Sequence, residues 1–274
     1  MNKTRLGLWL IIGGLALAGA GPAWAQLCAD EWVERCLEQR SRGRERYCEA
    51  RDYTLSAAGG ALRIDARPNG GITVRPWNRN EVRVLAKVQA TARSKSDAEE
   101  LAADVLVSVS GREISTSGPR SSLSRRSWSV SYEVWTPANT DLRLSSTNGG
   151  LTISGISGDF DLQTTNGGIT LRDVGGTIRA QTVNGGVQIV LAEGARDVGE
   201  IRASATNGGI RLTVPEGFGA RIEARTTNGG ISVDGPIQVQ GERSRRRLDA
   251  QMGEGGPLVR LTTTNGGVSV RIAD

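Results

Sequence analysis

The sequence predicts an all-β protein, a β-solenoid (β-helix-like) rod of stacked two-strand coils, with a short N-terminal helical segment and one inserted helix. Three observations point there. Asn-Gly-Gly recurs at Asn69, Asn148, Asn166, Asn184, Asn207, Asn228 and Asn265, each time followed by an aliphatic residue. From Asn148 onward the spacings are 18, 18, 23, 21 and 37 residues, close to the period of roughly 20 that marks solenoids. Apolar and polar residues alternate on both sides of each Asn, which is the period of a strand with one buried face.

The first 25 residues read as an export signal. Lys3 and Arg5 supply a basic start, Leu6 to Ala20 an apolar middle, and Ala23-Trp24-Ala25 a small-x-small cleavage site, so cleavage is expected before Gln26. Gln26 and Leu27 stand where a lipoprotein signal needs small residues, which argues against a lipid on Cys28. No later segment approaches the ~20 apolar residues of a membrane span. The formal charge of +5 becomes +3 once Lys3 and Arg5 are removed. So small an excess, in an exported chain, argues against nucleic acid as a partner.

Residues 26–52 form a Cys-containing segment. "DEWVERCLEQ" has helical character and "RSRGR" can turn the chain, placing Cys36 and Cys48 symmetrically. In an oxidising compartment this favours a Cys36–Cys48 disulfide over Cys28–Cys48, with the third thiol free or paired to another molecule.

The solenoid domain is expected to cover 53–274. "ALRIDARPNGGITV" reads as a divergent coil, with Leu62, Ile64 and Ala66 shifted by one residue from the later columns. "EVRVLAKVQATA", "VLVSVSG" and "SWSVSYEVW" read as strands. "SKSDAEELAADVL" breaks the pattern: Ser96 to Glu99 fits a capping box, and Ala98, Leu101, Ala102 and Val105 make a helical stripe. That helix should pack on the rod or cover its end. "GPRSSLSRRS" reads as a polar loop.

The regular repeats run from 141 to 274. Six residues before each Asn stand Leu142, Phe160, Ile178, Ile201, Ile222 and Val259; four before, Leu144, Leu162, Ala180, Ala203, Ala224 and Leu261. Three after stand Leu151, Ile169, Val187, Ile210, Ile231 and Val268; five after, Ile153, Leu171, Ile189, Leu212, Val233 and Val270. The positions between are polar. Each repeat therefore holds two strands joined at the Asn-Gly-Gly corner, and five or six coils stacked at ~4.8 Å make a rod of about 25–30 Å. The expected turn ladder comprises Asn148, Gly149, Gly150, Asn166, Gly167, Gly168, Asn184, Gly185, Gly186, Asn207, Asn228 and Asn265. Gly is expected to supply φ > 0, Asn to tolerate the left-handed region, and the stacked amides to bond along the rod. The long last interval reads as a protruding hairpin whose tip, with Arg243, Arg245, Arg246 and Arg247, is a candidate anion-binding site.

The serial "TNGG[ILV]x[ILV]" units from Asp141 to Asp274, and more weakly back to Tyr53, resemble the bacterial putative-adhesin family of β-strand-repeat proteins, a domain of unknown function. The resemblance implies an exported β-solenoid with a role in adhesion or at the cell envelope, periplasmic or at the surface, and carries over no catalytic residues.

The chain has no His, which removes Ser-His-Asp and Cys-His catalysis and imidazole metal ligation. No P-loop or calcium-binding glycine-aspartate repeat is present, and no cofactor or metal is expected. The reading is therefore a non-catalytic scaffold or binding protein whose partner is an envelope glycan or a surface protein. The alternative is a polysaccharide-active enzyme. Asp141 and Asp159, equivalent on adjacent coils, would stand roughly 5 Å apart as a retaining glycosidase pair does. No aromatic sugar platform lies beside them.

Overall fold

The computed structural model describes residues 23–39, 43–120, 126–194, 198–234 and 239–273. Most of the predicted export signal, parts of both predicted loops and the start of the last insertion lie outside them. Among the described residues no helix is long and apolar enough to cross a membrane.

Helix α1 (Ala23–Glu38) is tied to strand β1 (Glu45–Ser56) by a disulfide between Cys36 and Cys48, with Cα atoms 6.3 Å apart. The side chain of Cys28 lies outside the described ones. β2 (Leu62–Asp65) and β3 (Ile72–Pro76) form the divergent coil around Asn69. The chain then makes an excursion through β4 (Glu81–Ala92), α2 (Lys95–Ala103), β5 (Leu106–Ser110), β6 (Glu113–Ser117) and β7 (Ser127–Thr136).

Regular coils follow: β8 (Leu142–Asn148) with β9 (Leu151–Ser154), β10 (Phe160–Asn166) with β11 (Ile169–Val174), and β12 (Gly176–Asn184) with β13 (Val187–Leu191). The next two coils are β14 (Val198–Asn207) with β15 (Ile210–Val214), and β16 (Ala220–Asn228) with β17 (Ile231–Asp234). A hairpin of β18 (Val239–Arg243) and β19 (Arg247–Met252) precedes the last coil, β20 (Leu258–Asn265) and β21 (Val268–Ile272).

The first strand of each coil lies in one sheet and the second in the other. Sheet A runs β1-β4-β7-β3-β9-β11-β13-β15-β21-β17; sheet B runs β18-β19-β16-β20-β14-β12-β10-β8-β2-β6-β5. Neighbouring coils pair in parallel and in register, Ile169 opposite both Leu151 and Val187, and Asn166 opposite both Asn148 and Asn184. The fold is therefore a β-solenoid with the aliphatic columns stacked in a dry interior. Leu151, Ile169 and Val187 are each at most 1% exposed. Only Ile231 and Val233 of the four columns are partly exposed, because β17 is the edge strand of sheet A.

Two excursions depart from sequential stacking. The Asn69 coil lies between β6/β7 and β8/β9 rather than at the end of the stack. At the other end, β20 pairs with both β14 and β16, and β21 with both β15 and β17. The last coil of the chain thus slides between the two coils that precede it.

The β18–β19 hairpin does not protrude, as its charge run predicted. β19 pairs antiparallel along β16, Ile222 facing Ala250, and extends sheet B by two strands. Its apolar Leu248, Ala250 and Met252 are buried, so the alternation in "RLDAQM" anchors the hairpin to the core.

In the divergent coil Leu62 and Ile64 stand opposite Leu142 and Leu144, and Asn69 bridges Asn148. The one-residue surplus is absorbed between Asp65 and Asn69. Helix α2 is capped by Ser94, not by Ser96: the Ser94 hydroxyl accepts from Asp97 N–H at 3.1 Å and donates to its carboxylate at 2.8 Å. Both serines have an acid three residues on, and the helix buries the stripe Ala98, Leu101 and Ala102 beside β1 and β4. Arg51 donates to the carbonyls of Ala102 (3.0 Å) and Val105 (2.6 Å), satisfying the end of the helix.

Candidate functional site

The Asn-Gly-Gly corners are held by three features that recur along the stack. The Asn side chains form one continuous ladder. Asn228 donates to Asn265, Asn265 to Asn207, Asn207 to Asn184, Asn184 to Asn166, Asn166 to Asn148 and Asn148 to Asn69, every bond 2.8 Å. Asn69 in turn donates to the Trp128 carbonyl at 3.2 Å. All the amides point the same way, so each bond polarises the next.

The glycines act differently from expectation. Among the corner residues only Gly70 has φ in the left-handed range. The first Gly is instead required by close approach. A β-carbon at Gly167 would stand 2.2 Å from the Gly149 carbonyl oxygen, and one at Gly185 would stand 2.1 Å from that of Gly167. The second Gly meets a looser limit: 3.3 Å at Gly150, 3.4 Å at Gly168, 3.1 Å at Gly186 and nothing within 4 Å at Gly230. Left-handed residues gather at the opposite corner of the coils, at Gly155, Asp173, Gly176, Gly194 and Gly217.

The third interaction is a column the sequence reading passed over. Two residues before the Asn stand Ser146, Thr164, Thr182, Thr226 and Thr263, all buried. Each hydroxyl donates at 2.7–2.8 Å to the first-glycine carbonyl of the neighbouring coil, Thr164 to Gly149 and Thr182 to Gly167, for example. The signal was the same period of two, continued inward by one more position. The sixth member is Ala205, which has no hydroxyl to give.

The predicted arginine tip divides. Arg245 and Arg246 use their carbonyls to accept from Ile231 (3.0 Å) and Thr226 (3.1 Å), and so cap the stack. Arg247 pairs with Glu242 at 3.8 Å, and the side chain of Arg243 lies outside the described ones. The candidate carboxylates are not a free pair either. Asp141 accepts a hydrogen bond from the backbone N–H of Asp159 at 2.9 Å. It lines a depression at the opposite corner with Asn139, Thr140 and Ser157, whereas Asp159 lines another on sheet B with Arg143 and Arg179. Among the described residues no group of three His, Cys, Asp or Glu is placed to hold a metal.

Two long surfaces remain. On sheet B, Arg143, Asp161, Arg179, Arg202, Arg260 and Glu223 succeed one another across the strands. Arg202 pairs with Glu200 at 2.7 Å and Arg260 with Glu223 at 2.9 Å. Arg202, and beyond it Arg260 and Arg179, hold the Glu200 carboxyl below its usual range. On sheet A a trough of about 670 Å³ runs along the second-glycine column through Gly186, Gly209, Gly267 and Gly230. Thr170, Gln188, Arg211, Ser269 and Ser232 form one wall, and Arg245 stands at the end.

A parallel two-sheet solenoid, cornered by an Asn ladder and carrying open polar faces, is the class of protein these features define. The chain belongs to the Toastrack DUF4097 family, whose model matches residues 89–271. Solved structures that resemble it include a putative cell adhesion protein from Clostridium sporogenes ATCC 15579 (12% identity, 83% of this chain and 100% of that chain covered, TM-score 0.46). Others are a putative adhesin from Bacteroides fragilis NCTC 9343 (12%, 83% and 97%, 0.32) and a putative lipid binding protein from Parabacteroides distasonis ATCC 8503 (10%, 83% and 97%, 0.29). No curated protein matches the chain.

Proposed function

We propose that the chain is an exported, non-catalytic binding scaffold of the cell envelope, periplasmic or displayed at the surface, and an adhesin in that broad sense. The observation that carries this reading is the pairing of a rigid, dry-cored rod with long faces of polar side chains held in register. The carboxylates an enzyme would need are engaged by backbone or divided between separate depressions. The basic-apolar-small pattern of residues 1–25 and the Cys36–Cys48 bond support export.

The test is fractionation with N-terminal sequencing, followed by incubation of the purified mature chain with envelope polysaccharide and surface protein. The expected outcome is a mature form beginning at Gln26 that retains envelope material without altering it. Retention in the cytoplasm would overturn the reading, as would release of oligosaccharides that stops with Asp159→Asn.

A further inference from the structure

The trough on sheet A asks why its floor is glycine. The first Gly of each corner is forced by the neighbouring backbone, but the second is not forced to the same degree. Its missing side chain would point outward, and at Gly230 nothing lies within 4 Å and φ is not left-handed. Glycine at a corner that does not require it still costs stability, because it loses more backbone freedom on folding than any other residue. Yet Gly71, Gly150, Gly168, Gly186, Gly209, Gly230 and Gly267 all keep it. The result is a bare strip of peptide along the stack, and the trough covers five of its seven coils, roughly 20 Å at the spacing of stacked strands.

The wall beside it is a row of hydrogen-bonding groups one coil apart, in register from Thr170 to Gln188, Arg211, Ser269 and Ser232. Among the described residues, Thr170, Gln188 and Arg211 have no side-chain partner. Arg211 and Arg245 are the only charged residues in the lining; the Asp234 carboxylate stands beside it and accepts from the wall hydroxyl of Ser269 at 3.5 Å. A lining charged only by arginine separates the trough from the sheet B face, where Arg202 pairs with Glu200, Arg260 pairs with Glu223, and Asp161 stands in register between Arg143 and Arg179.

We propose that this trough binds a linear acidic polysaccharide lying along the rod axis, perpendicular to the strands. The assignment rests on the binding-scaffold reading and names its surface and ligand class. The glycine floor lets flat sugar rings approach the backbone. The coil spacing is close to the length of one sugar in an extended chain, so successive hydroxyls meet successive wall residues. The two guanidiniums, each exposed, take carboxylates as charge-assisted partners.

Calorimetry on the mature full chain, with oligogalacturonate as the probe and cello-oligosaccharide and polyphosphate as comparisons, tests it. Oligogalacturonate is expected to bind, more weakly as salt rises. The Arg211→Gln/Arg245→Gln pair should weaken it by about tenfold or more. Gly230→Leu and Ser232→Trp, both at the open end of the trough, should abolish binding with Tm unchanged, and Arg179→Gln on sheet B should have no effect. Binding that survives both filling variants would overturn the trough as the site, and equal binding of polyphosphate or of the neutral glycan would overturn the ligand class. If oligogalacturonate does not bind but envelope material is still retained, the trough assignment falls and the scaffold reading stands. If neither is retained, both fall.

Discussion

At the scale of single residues, the corner separates two glycines that look alike in sequence. Gly167→Ala would drive a β-carbon into the Gly149 carbonyl and is expected to destabilise by about 3 kcal/mol or more, since stacked backbones on both sides prevent relief. Gly168→Ala, at 3.4 Å, should cost under about 1 kcal/mol. Gly230→Ala should be neutral or stabilise by roughly 0.5 kcal/mol, because the unfolded chain loses freedom and the fold meets no obstacle. Denaturant midpoints of the three variants check the order. The buried hydroxyl column predicts a gain. Ala205→Thr would place a donor facing the Gly185 carbonyl, as Thr182 faces Gly167, and should raise stability by about 1 kcal/mol, a Tm increase of roughly 2–4 °C.

At the scale of elements, β7 carries Tyr132, 2% exposed, its hydroxyl 2.5 Å from Thr116 on β6. Burial pushes its pKa up to about 12, against a smaller opposing pull from Thr116. A raised acid favours the fold fully below the unfolded pKa near 10, and that contribution is lost as pH climbs from about 10 to 12, roughly 2–3 kcal/mol in all. Tyr132→Phe should flatten this alkaline decline in urea titrations, even if it lowers stability at pH 7. β7 was legible as a strand in "SWSVSYEVW", whereas β6 marks where the sequence became hard to read. Strands in the regular coils announce themselves through columns such as Leu142–Phe160–Ile178, because each strand is repeated. β6, "EISTS", has one buried aliphatic, Ile114, and no repeat to align with. Ser94 and Ser96 each have an acid three residues on, so the local capping rule does not choose between them. The corner glycines were legible as a structural device but not by mechanism, since close approach between coils leaves no mark in the dihedral preferences of one chain segment. The trough was not legible either, because its wall and its cationic end come together only once hairpin and coil are placed.

At the scale of the whole molecule, stacking order and chain order differ. Residues 257–273 supply β20 and β21, which lie inside the stack and pair on both sides. Deleting them should therefore remove cooperative unfolding of the rod altogether, rather than trim it as loss of a terminal repeat does in a sequential solenoid. A truncation ending at residue 256 should show a broad, early thermal transition, whereas a sharp transition within a few degrees of the full chain would contradict the intercalated register.

The same arrangement bears on how the chain matures. A polypeptide that crosses a membrane from its N-terminus delivers this segment last, when the Asn207 and Asn228 windings already present matching aliphatic columns to one another. If those two close together first, the seat of the final winding is occupied and must be vacated. On the export route proposed above, folding of this rod is then expected to end with an insertion step, which a chaperone that keeps the two windings apart would speed.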